Sequence, residues 1–221
     1  MSSHTNMWFY ISLVFLFTYN VMGSEPIDTT LGFVSQPLNQ SNFDIQKPYN
    51  LPVDQRYNFF GEVHKLWVFE TDKPHSRKSK TNPRTEIRIR GYDYSSGVWQ
   101  FEAYGYVPSD TSGVCIMQIF GSKPPKASTT MLTVYNSSLY YYRNQVILSD
   151  LYNKWFRLNV IHDVEDNNVK VYIDGILKHE GRVRVGPHIH HYFKCGVYSQ
   201  KEGSFYMESR WKDIRVFRLH D

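Results

Sequence analysis

Short segments of alternating polar and apolar residues, separated by turn signals, recur along most of this chain. They are rich in β-branched and aromatic side chains, which fit the pleated surface of a β-sheet. No segment keeps the 3.6-residue hydrophobic period of a helix, so the pattern predicts an all-β protein. The predicted strands are residues 85–90, 98–107, 113–120, 131–135, 139–143, 155–162, 169–173, 191–200 and 211–219.

Turn signals indicate how several of these strands connect. Asp174-Gly175 stands between two strand-like segments, and this dipeptide is typical of a two-residue hairpin turn. The strands at 155–162, 169–173 and 176–179 should therefore run antiparallel in succession, as in lectin-like jelly rolls. We expect a jelly-roll (concanavalin-like) β-sandwich of two antiparallel sheets, in which the proline-rich residues 24–62 supply only short or edge strands.

The first 23 residues contain no Asp, Glu, Lys or Arg, and Trp8 to Val21 form an apolar run. Such a run is typical of a signal peptide and is short for a membrane-spanning helix. A short membrane anchor is the less favoured alternative, because polar residues interrupt the run. We predict a signal peptide at residues 1–23 and a single domain at residues 24–221.

The predicted leader sets expectations for location and modification. It directs the chain into the secretory pathway, with a final location that is extracellular, in a cell wall, or in a vacuole. Asn39 and Asn136 begin sequons that are compatible with N-glycosylation there. The formal net charge of +4 favours acidic partners only weakly. We expect a monomer with no nucleic-acid partner and no membrane span in the mature chain.

One predicted strand carries several cations on a single face. In Arg84-Thr-Glu-Ile-Arg-Ile-Arg, strand alternation places Arg84, Glu86, Arg88 and Arg90 together, opposite an apolar face. A second strand, Val-Cys-Ile-Met-Gln-Ile-Phe, is nearly all apolar, as a strand buried on both sides would be. Gln118 interrupts this second strand, and a buried amide requires hydrogen-bond partners.

A third strand, His-Tyr-Phe-Lys-Cys-Gly-Val-Tyr-Ser-Gln, alternates in the same way. It places Lys194, Tyr198 and Gln200 on one face with Gly196, which leaves room for a ligand or a neighbouring backbone. If the three strands lie near one another, their polar faces form a groove suited to carboxylates, which accept charge-assisted and bidentate hydrogen bonds. The predicted groove residues are Arg84, Arg88, Arg90, Gln118, Lys194, Tyr198 and Gln200.

These three segments resemble, in order and spacing, the signature blocks of the jelly-roll alginate lyases. Those lyases carry Arg-Ser/Thr-Glu-Leu-Arg, Gln-Ile/Val-His and Tyr-Phe-Lys-Ala-Gly-x-Tyr-x-Gln. Further stretches that begin at Gln46, Asp93 and Tyr206 resemble the plant citrate-binding branch of the same superfamily, across nearly the whole mature chain. The resemblance implies a jelly-roll fold and a groove that binds citrate or a uronic-acid polysaccharide.

The lyase resemblance also implies roles for individual residues. Arg84, Arg88 and Gln118 would bind the substrate carboxylate, and Tyr198 would transfer protons with Lys194 beside it. Elimination next to a uronate carboxylate needs that charge neutralised, a base for the acidified C–H, and an acid at the leaving oxygen. The catalytic set for a lyase is therefore Tyr198, Gln118 and Arg88.

The chain departs from the lyase pattern at the end of the second block. The expected His is Phe120, which cannot take a proton. The resemblance allows a lone Tyr to act as both base and acid, or a His to come from another strand, for which His64 is the candidate. Because an ordinary Tyr has a pKa near 10, Lys194 and Arg88 would have to lower the pKa of Tyr198 for base work at neutral pH.

Other reactive side chains indicate no competing site. His188, His190 and His191 follow a Gly-Pro pair in a predicted loop without Cys or carboxylate at ligand spacing, so we expect no metal and no other cofactor. Cys115 and Cys195 are both assigned to the apolar faces of their strands. A secreted chain with two cysteines favours a disulfide, but adjacent strands rarely offer its geometry, and the pairing stays open.

Three functions are compatible with these residues. The first is a secretory-pathway protein that binds citrate or another polycarboxylate without catalysis, linked to vacuolar citrate transport. The second is a polyuronate lyase that cleaves alginate- or glucuronan-type chains by β-elimination. The third is a non-catalytic module that binds cell-wall polysaccharides. Phe120 favours the first.

Overall fold

A computed structural model of the protein describes residues 25–122, 127–183 and 190–220. The strands in these residues form two antiparallel sheets, one of eight strands and one of seven. Helical structure in the described residues is limited to short 3₁₀ turns at Gln40–Asn42 and Val53–Gln55. The expected all-β jelly-roll sandwich is confirmed.

In chain order the strands are β1 (Phe33–Gln36), β2 (Phe43–Gln46), β3 (Tyr57–Phe60), β4 (Val63–Phe69), β5 (Arg84–Ile89), β6 (Val98–Tyr106), β7 (Val114–Phe120), β8 (Ser128–Tyr135), β9 (Ser138–Tyr141), β10 (Gln145–Leu148), β11 (Trp155–Asp163), β12 (Asn168–Ile173), β13 (Ile176–Arg182), β14 (Tyr192–Ser199) and β15 (Tyr206–Leu219). The eight-stranded sheet has the order β13-β12-β11-β6-β15-β4-β3, with β1 also paired to β15. The seven-stranded sheet has the order β10-β9-β8-β7-β14-β5-β2.

The apolar faces of the two sheets pack against each other and form the core. Leu66, Phe101 and Trp211 of the eight-stranded sheet are fully buried against the side of the seven-stranded sheet that carries Ile87 and Phe193. Burial of such a side chain stabilises the fold by roughly 1.5–3 kcal/mol. This packing decides which face of the seven-stranded sheet points inward, and it leaves the polar face of β5, β7 and β14 pointing away from the core.

Most predicted strands are present in the structure. Asp174 and Gly175 form the hairpin turn between β12 and β13, and both have positive φ. The strands β11, β12 and β13 follow one another antiparallel, as predicted. The proline-rich N-terminal region contributes β1, β2 and β3, which are four residues each and lie at sheet edges.

The strand β4 is absent from the predicted set, and β15 begins at Tyr206 rather than at residue 211. In β4 the buried face carries His64 between the two sheets, while Trp67 and Phe69 lie on the opposite, partly exposed face. A polar ring therefore points inward and aromatic rings point outward, which obscures the alternation on which strand prediction depends.

Three predictions about the secretory pathway are only partly covered by the structure. The predicted signal peptide, residues 1–23, lies outside the described residues. Across the described ranges, no helix is long and apolar enough to cross a membrane. Asn39 and Asn136 are both exposed, Asn39 as the cap of a 3₁₀ turn and Asn136 in the turn between β8 and β9. Their glycosylation stays a prediction.

Two histidines are buried in the interior of the sandwich. His162 of β11 is hydrogen-bonded through Nδ1 to the hydroxyl of Tyr94 at 2.9 Å, and burial with the nearby His191 lowers its pKa to about 3. His64 is hydrogen-bonded through Nδ1 to the hydroxyl of Tyr57 at 2.9 Å, and burial lowers its pKa to about 4. Both rings are neutral at neutral pH, and protonation of either opposes folding.

We expect the free energy of unfolding to fall as the pH is lowered from 6.5 to 5. In this range an unfolded histidine takes up a proton while the folded His162 and His64, with pKa values of about 3 and about 4, do not, so acid favours the unfolded chain. The loss per buried histidine should steepen from about 0.7 kcal/mol per pH unit at pH 6.5 toward a limit of about 1.4 kcal/mol per pH unit near pH 5, measurable by urea unfolding at a series of pH values. His162→Gln should give a shallower slope, and an unchanged slope would contradict this origin of the pH dependence.

Candidate functional site

The polar face of the seven-stranded sheet holds a cavity of about 560 Å³, which we call the main cavity. Its floor belongs to β5, β7, β8 and β14, and the loop between β4 and β5 forms part of its wall. It is lined by Gln46, His75, Thr81, Arg84, Gln118, Phe120, Ala127, Ser128, Met131, Tyr142, Tyr192, Lys194, Tyr198 and Gln200. Five of the predicted groove residues, Arg84, Gln118, Lys194, Tyr198 and Gln200, therefore meet here.

Strand register brings these side chains together. Between β14 and β5, Lys194 lies opposite Arg88 and Tyr198 lies opposite Arg84. Between β14 and β7, Lys194 lies opposite Gln118. Directly paired residues of antiparallel strands point to the same face, so the three signature segments contribute to one surface.

A glycine allows β14 to approach β5 closely. Gly196 has a φ of 141°, and a Cβ at this position would lie 2.4 Å from the carbonyl oxygen of Thr85. The sequence left open whether a ligand or a backbone comes near this glycine. The contact is made by the backbone of β5.

The centre of the site is a carboxylate for which the sequence suggested no role. Glu86 Oε2 accepts hydrogen bonds from Lys194 Nζ at 3.0 Å and from Arg84 Nη1 at 3.2 Å. Glu86 Oε1 accepts a hydrogen bond from Gln118 Nε2 at 2.5 Å, and Gln118 Oε1 accepts one from the Ser128 hydroxyl. The amide that interrupts β7 therefore has the partners that its burial requires.

This cluster is buried yet remains charged. Glu86 and Lys194 are each 1% exposed, and Arg84 is 5% exposed. Burial raises the pKa of the Glu86 carboxyl, but the charges of Lys194 and Arg84 and the hydrogen bond from Gln118 outweigh it, so the pKa is lowered. Glu86 stays ionised between two cations. One positive charge is left without a compensating carboxylate inside the cluster, at the floor of the main cavity.

Arg84 also fixes the position of Tyr198. Its guanidinium lies over the phenol ring, with Cζ 3.9 Å from the ring centroid, in a cation–π contact. Burial raises the pKa of Tyr198, and the charge of Arg84 only partly offsets this. The lowered pKa that base work at neutral pH would require of Tyr198 is therefore not met, because desolvation dominates and the contacting cation is Arg84.

An aromatic pair occupies the position where the lyase pattern has His. Phe120 stacks on Tyr192 with the ring centroids 4.9 Å apart and an interplanar angle of 20°. The Nζ of Lys194 lies 5.5 Å from the centroid of Phe120. This part of the main cavity offers apolar surface and an ammonium group, but the Phe120 ring has no group that can exchange a proton.

Two predicted groove residues are not among those that line the main cavity. Arg88 Nη2 donates to Asp93 at 2.5 Å, and its guanidinium lies 4.0 Å from the centroid of Tyr192. Arg90 Nη2 donates to Asp44 at 2.7 Å, and its side chain is 59% exposed. Alternation placed both arginines on the correct face of the strand. Arg88 pairs with Asp93, five residues further along the chain, and Arg90 pairs with Asp44 of β2, so the structure does not place either side chain in the main cavity.

His64, the candidate base, is also absent from the main cavity. It belongs to the eight-stranded sheet, and its ring packs between the sheets against Phe43, Tyr57 and Phe59. Because its ring faces the interior of the sandwich, His64 is not positioned to take a proton from a ligand in the main cavity, and that assignment is corrected.

The sequence analysis missed Gln46 and His75, which both line the main cavity. Gln46 ends β2, where it lies opposite Glu86 on the neighbouring β5. His75 belongs to the loop between β4 and β5, which reads in sequence only as a Lys- and Ser-rich stretch. Alternation would have placed Gln46 on the polar face if the pairing of β2 with β5 had been known, whereas no local signal marks His75.

The two cysteines are free and buried. Cys195 belongs to the core, as predicted. A register shift between β14 and β7 sets Cys115 opposite Tyr198, on the cavity side of the sheet, so its assignment to the apolar face is wrong. The thiols lie on opposite faces and form no disulfide. Burial raises the pKa of Cys115, which keeps the thiol protonated.

The histidine-rich loop gives no metal site in the described part of the chain. No cluster of three or more His, Cys, Asp or Glu side chains with suitable geometry occurs in these residues. His188 lies outside them. His191 is buried at the end of the sandwich, where its ring contacts Tyr94 and His162.

A second cavity of about 480 Å³ continues from the main cavity over β8 and β9. Four residues line both cavities, namely Ser128, Met131, Tyr142 and Gln200. Arg143 lines the far part of the second cavity. The two cavities are therefore adjacent on the same face of the sheet, the first next to the Glu86 cluster and the second toward β9.

Fold and site together define the class of jelly-roll proteins related to the polysaccharide lyases. The structure is similar to the alginate lyase AlgAT5 of polysaccharide lyase family 7, with a TM-score of 0.64, 18% identity, and coverage of 80% of this chain and 95% of that one. It is also similar to alginate lyase PA1167 from Pseudomonas aeruginosa, with a TM-score of 0.62, 15% identity, and coverage of 82% and 100%. These likenesses establish the fold.

The sequence comparisons are more specific. A family model described as alginate lyase matches residues 37–218. A citrate-binding protein from Hevea brasiliensis is 48% identical over 196 residues, which cover 86% of this chain and 79% of that protein. The chain belongs to this alginate lyase family and is a homologue of the Hevea citrate-binding protein.

We expect Glu86→Gln to destabilise the protein by about 3–5 kcal/mol, because it leaves Arg84 and Lys194 buried without a compensating charge. Guanidinium or urea unfolding followed by tryptophan fluorescence measures this loss. Asp44→Asn is the matched control, since it breaks the partly exposed pair with Arg90, and it should cost at most about 1 kcal/mol. Equal effects of the two substitutions would contradict the central role of Glu86.

Proposed function

We propose that this protein binds citrate or a closely similar polycarboxylate in the main cavity, without catalysis. The observation that carries the proposal is the buried cluster in which Arg84 and Lys194 share the single carboxylate of Glu86. The unmatched positive charge is held in place before a ligand arrives, which reduces the ordering cost of binding an anion. Charge-assisted hydrogen bonds from Arg and Lys are the interactions that carboxylates form most strongly.

Two further observations support binding over chemistry. Phe120 and Tyr192 occupy the place of the proton-transferring His, and the raised pKa of Tyr198 disfavours its use as a base. The volume of about 560 Å³ lies in the range of small-molecule sites and accommodates an acid of the size of citrate. The Hevea homologue is named for citrate binding.

We also propose a cellular setting for this binding. Residues 1–23 act as a signal peptide, and residues 24–221 form the mature domain. The protein serves in the secretory pathway, either outside the cell or in a vacuole, where it is linked to citrate transport. The apolar, uncharged N-terminal run supports the leader. N-terminal sequencing of the protein isolated from a secreting host tests it, and a retained Met1 would overturn the leader.

Isothermal titration calorimetry should detect citrate binding, and Lys194→Gln should weaken it by about tenfold or more, because one charge-assisted hydrogen bond is lost. Arg90→Gln is the matched control and should leave the affinity unchanged, since Arg90 lies outside the main cavity. If Lys194→Gln alone fails to fold, the double variant Glu86→Gln/Lys194→Gln serves in its place, because it removes both charges of the buried pair. Absence of heat with folded wild-type protein at millimolar citrate would remove the proposal.

A second function, a polyuronate lyase, is favoured by one observation. His75 and Tyr198 line the same cavity, and the second cavity adjoins it, as a polymer would require. In such an enzyme His75 would supply the proton-transfer group that Phe120 lacks.

The lyase alternative is tested by the absorbance of the conjugated double bond that β-elimination creates. Alginate, glucuronan and pectin-like chains are incubated with wild type, Tyr198→Phe and His75→Gln. We expect flat traces for all three proteins. A wild-type signal that both substitutions abolish would establish the lyase. Retention on these polymers without absorbance would instead indicate a non-catalytic wall-polysaccharide module, with binding that weakens as salt rises.

A further inference from the structure

Several polar atoms around the main cavity have no hydrogen-bond partner within the protein. They are Oε1 of Gln46, Nδ1 of His75 and Nε of Arg84, all three buried, and each of these residues lines the main cavity. Buried polar groups without partners are rare because each loses its hydration without gaining a compensating hydrogen bond. As placed, these three atoms are covered by neighbouring protein atoms, so a ligand in the main cavity meets them after rotation of the side chains. Three such atoms in residues around one cavity point to a bound ligand that supplies the missing partners.

The chemical types of these atoms restrict the ligand. Arg84 already uses Nη1 for Glu86 and Nη2 for Thr81, so Nε is the nitrogen left to donate to an acceptor such as a carboxylate oxygen. The Oε1 of Gln46 can only accept a hydrogen bond. A ligand with carboxylates alone would satisfy Arg84 and leave Gln46 unmatched.

His75 Nδ1 is a second acceptor in the tautomer that carries the ring proton on Nε2. Burial and the positive charges of Arg84 and Lys194 lower its pKa, while Glu86 opposes them, so the neutral ring is favoured. A neutral imidazole carries one nitrogen that accepts a hydrogen bond. The charged groups that act on His75 come from β5 and β14, and the cations among them outnumber the carboxylate.

The position of His75 is set by the loop that carries it. The carbonyl oxygen of Pro74 accepts a hydrogen bond from the backbone N–H of Tyr49 at 3.0 Å. Asp72 accepts two hydrogen bonds from Arg56, at 2.6 and 2.7 Å. The residues just before His75 are therefore anchored to two neighbouring segments, which fixes where the chain enters the wall of the main cavity.

We propose that Gln46 and His75 form a hydroxyl-recognition subsite, so that the main cavity selects polycarboxylates that also carry a hydroxyl group. The ligand hydroxyl donates to Gln46 Oε1 or His75 Nδ1, while an adjacent carboxylate accepts from Arg84 Nε and Lys194 Nζ. The inference rests on the proposed function and deepens it, because it names the class of ligand as a hydroxy-polycarboxylate. A site built to pair with a hydroxyl discriminates against the analogue that lacks it, since its own polar groups are left unpaired.

The test compares citrate with tricarballylate, which carries the same three carboxylates and no hydroxyl. In titration calorimetry at constant pH, wild type should bind citrate about tenfold or more tightly than tricarballylate. Gln46→Met and His75→Phe should reduce this ratio toward one by weakening citrate binding, with little change for tricarballylate. His179→Phe is the matched control, because His179 stacks on Tyr141 outside the main cavity, and it should keep the wild-type ratio.

The outcomes separate this inference from the proposed function. Equal affinities of wild type for both acids would overturn hydroxyl recognition and leave polycarboxylate binding in place. Binding of neither acid would overturn both. If the ratio survives in the Gln46→Met/His75→Phe double variant, which thermal melting shows to be folded, the hydroxyl is recognised elsewhere and the assignment of these two residues is wrong.

Discussion

The site depends on one buried carboxylate that forms ion pairs with two buried cations. Without Glu86, Arg84 and Lys194 would sit side by side with their charges unbalanced in a region where water cannot screen them. With Glu86 in place, both cations hold fixed positions and one unit of positive charge remains for a ligand. The same carboxylate orients Gln118, and Arg84 holds the ring of Tyr198, so the geometry of the cavity floor follows from a single ionised group.

This arrangement supports the proposal that this lyase-like jelly roll binds a ligand without catalysis. Elimination needs groups that gain and lose protons during the reaction, with pKa values near the working pH. Here Glu86 and Tyr198 are each held in one protonation state, whereas burial lowers the pKa of Lys194 and the charge of Glu86 only partly offsets this. Glu86 has a lowered pKa, Tyr198 has a raised one, and Phe120 has no proton to give. Charges and hydrogen-bond donors that do not change suit the binding of a ligand that is already ionised. They suit less well the stabilisation of a charge that develops in a transition state.

The local sequence was sufficient to predict part of the fold and part of the candidate site. Alternation predicted the fold class, most strands, and the polar faces that carry Arg84, Gln118, Lys194 and Tyr198, because side-chain direction has a period of two in any strand. Alternation did not predict the contacts of a side chain where these depend on a neighbouring strand or loop. The pairing of Arg90 with Asp44 involves separate segments, and the register shift that turns Cys115 toward the cavity involves two strands. His75 comes from a loop, where no period constrains direction.

The anchored loop beside His75 has a consequence for how a ligand enters and leaves. Its start is tied to neighbouring segments through Tyr49 and Arg56, so that wall of the main cavity is not free to swing open. The second cavity adjoins the main cavity on the opposite side, over β8 and β9. Exchange with solvent should therefore follow this side channel.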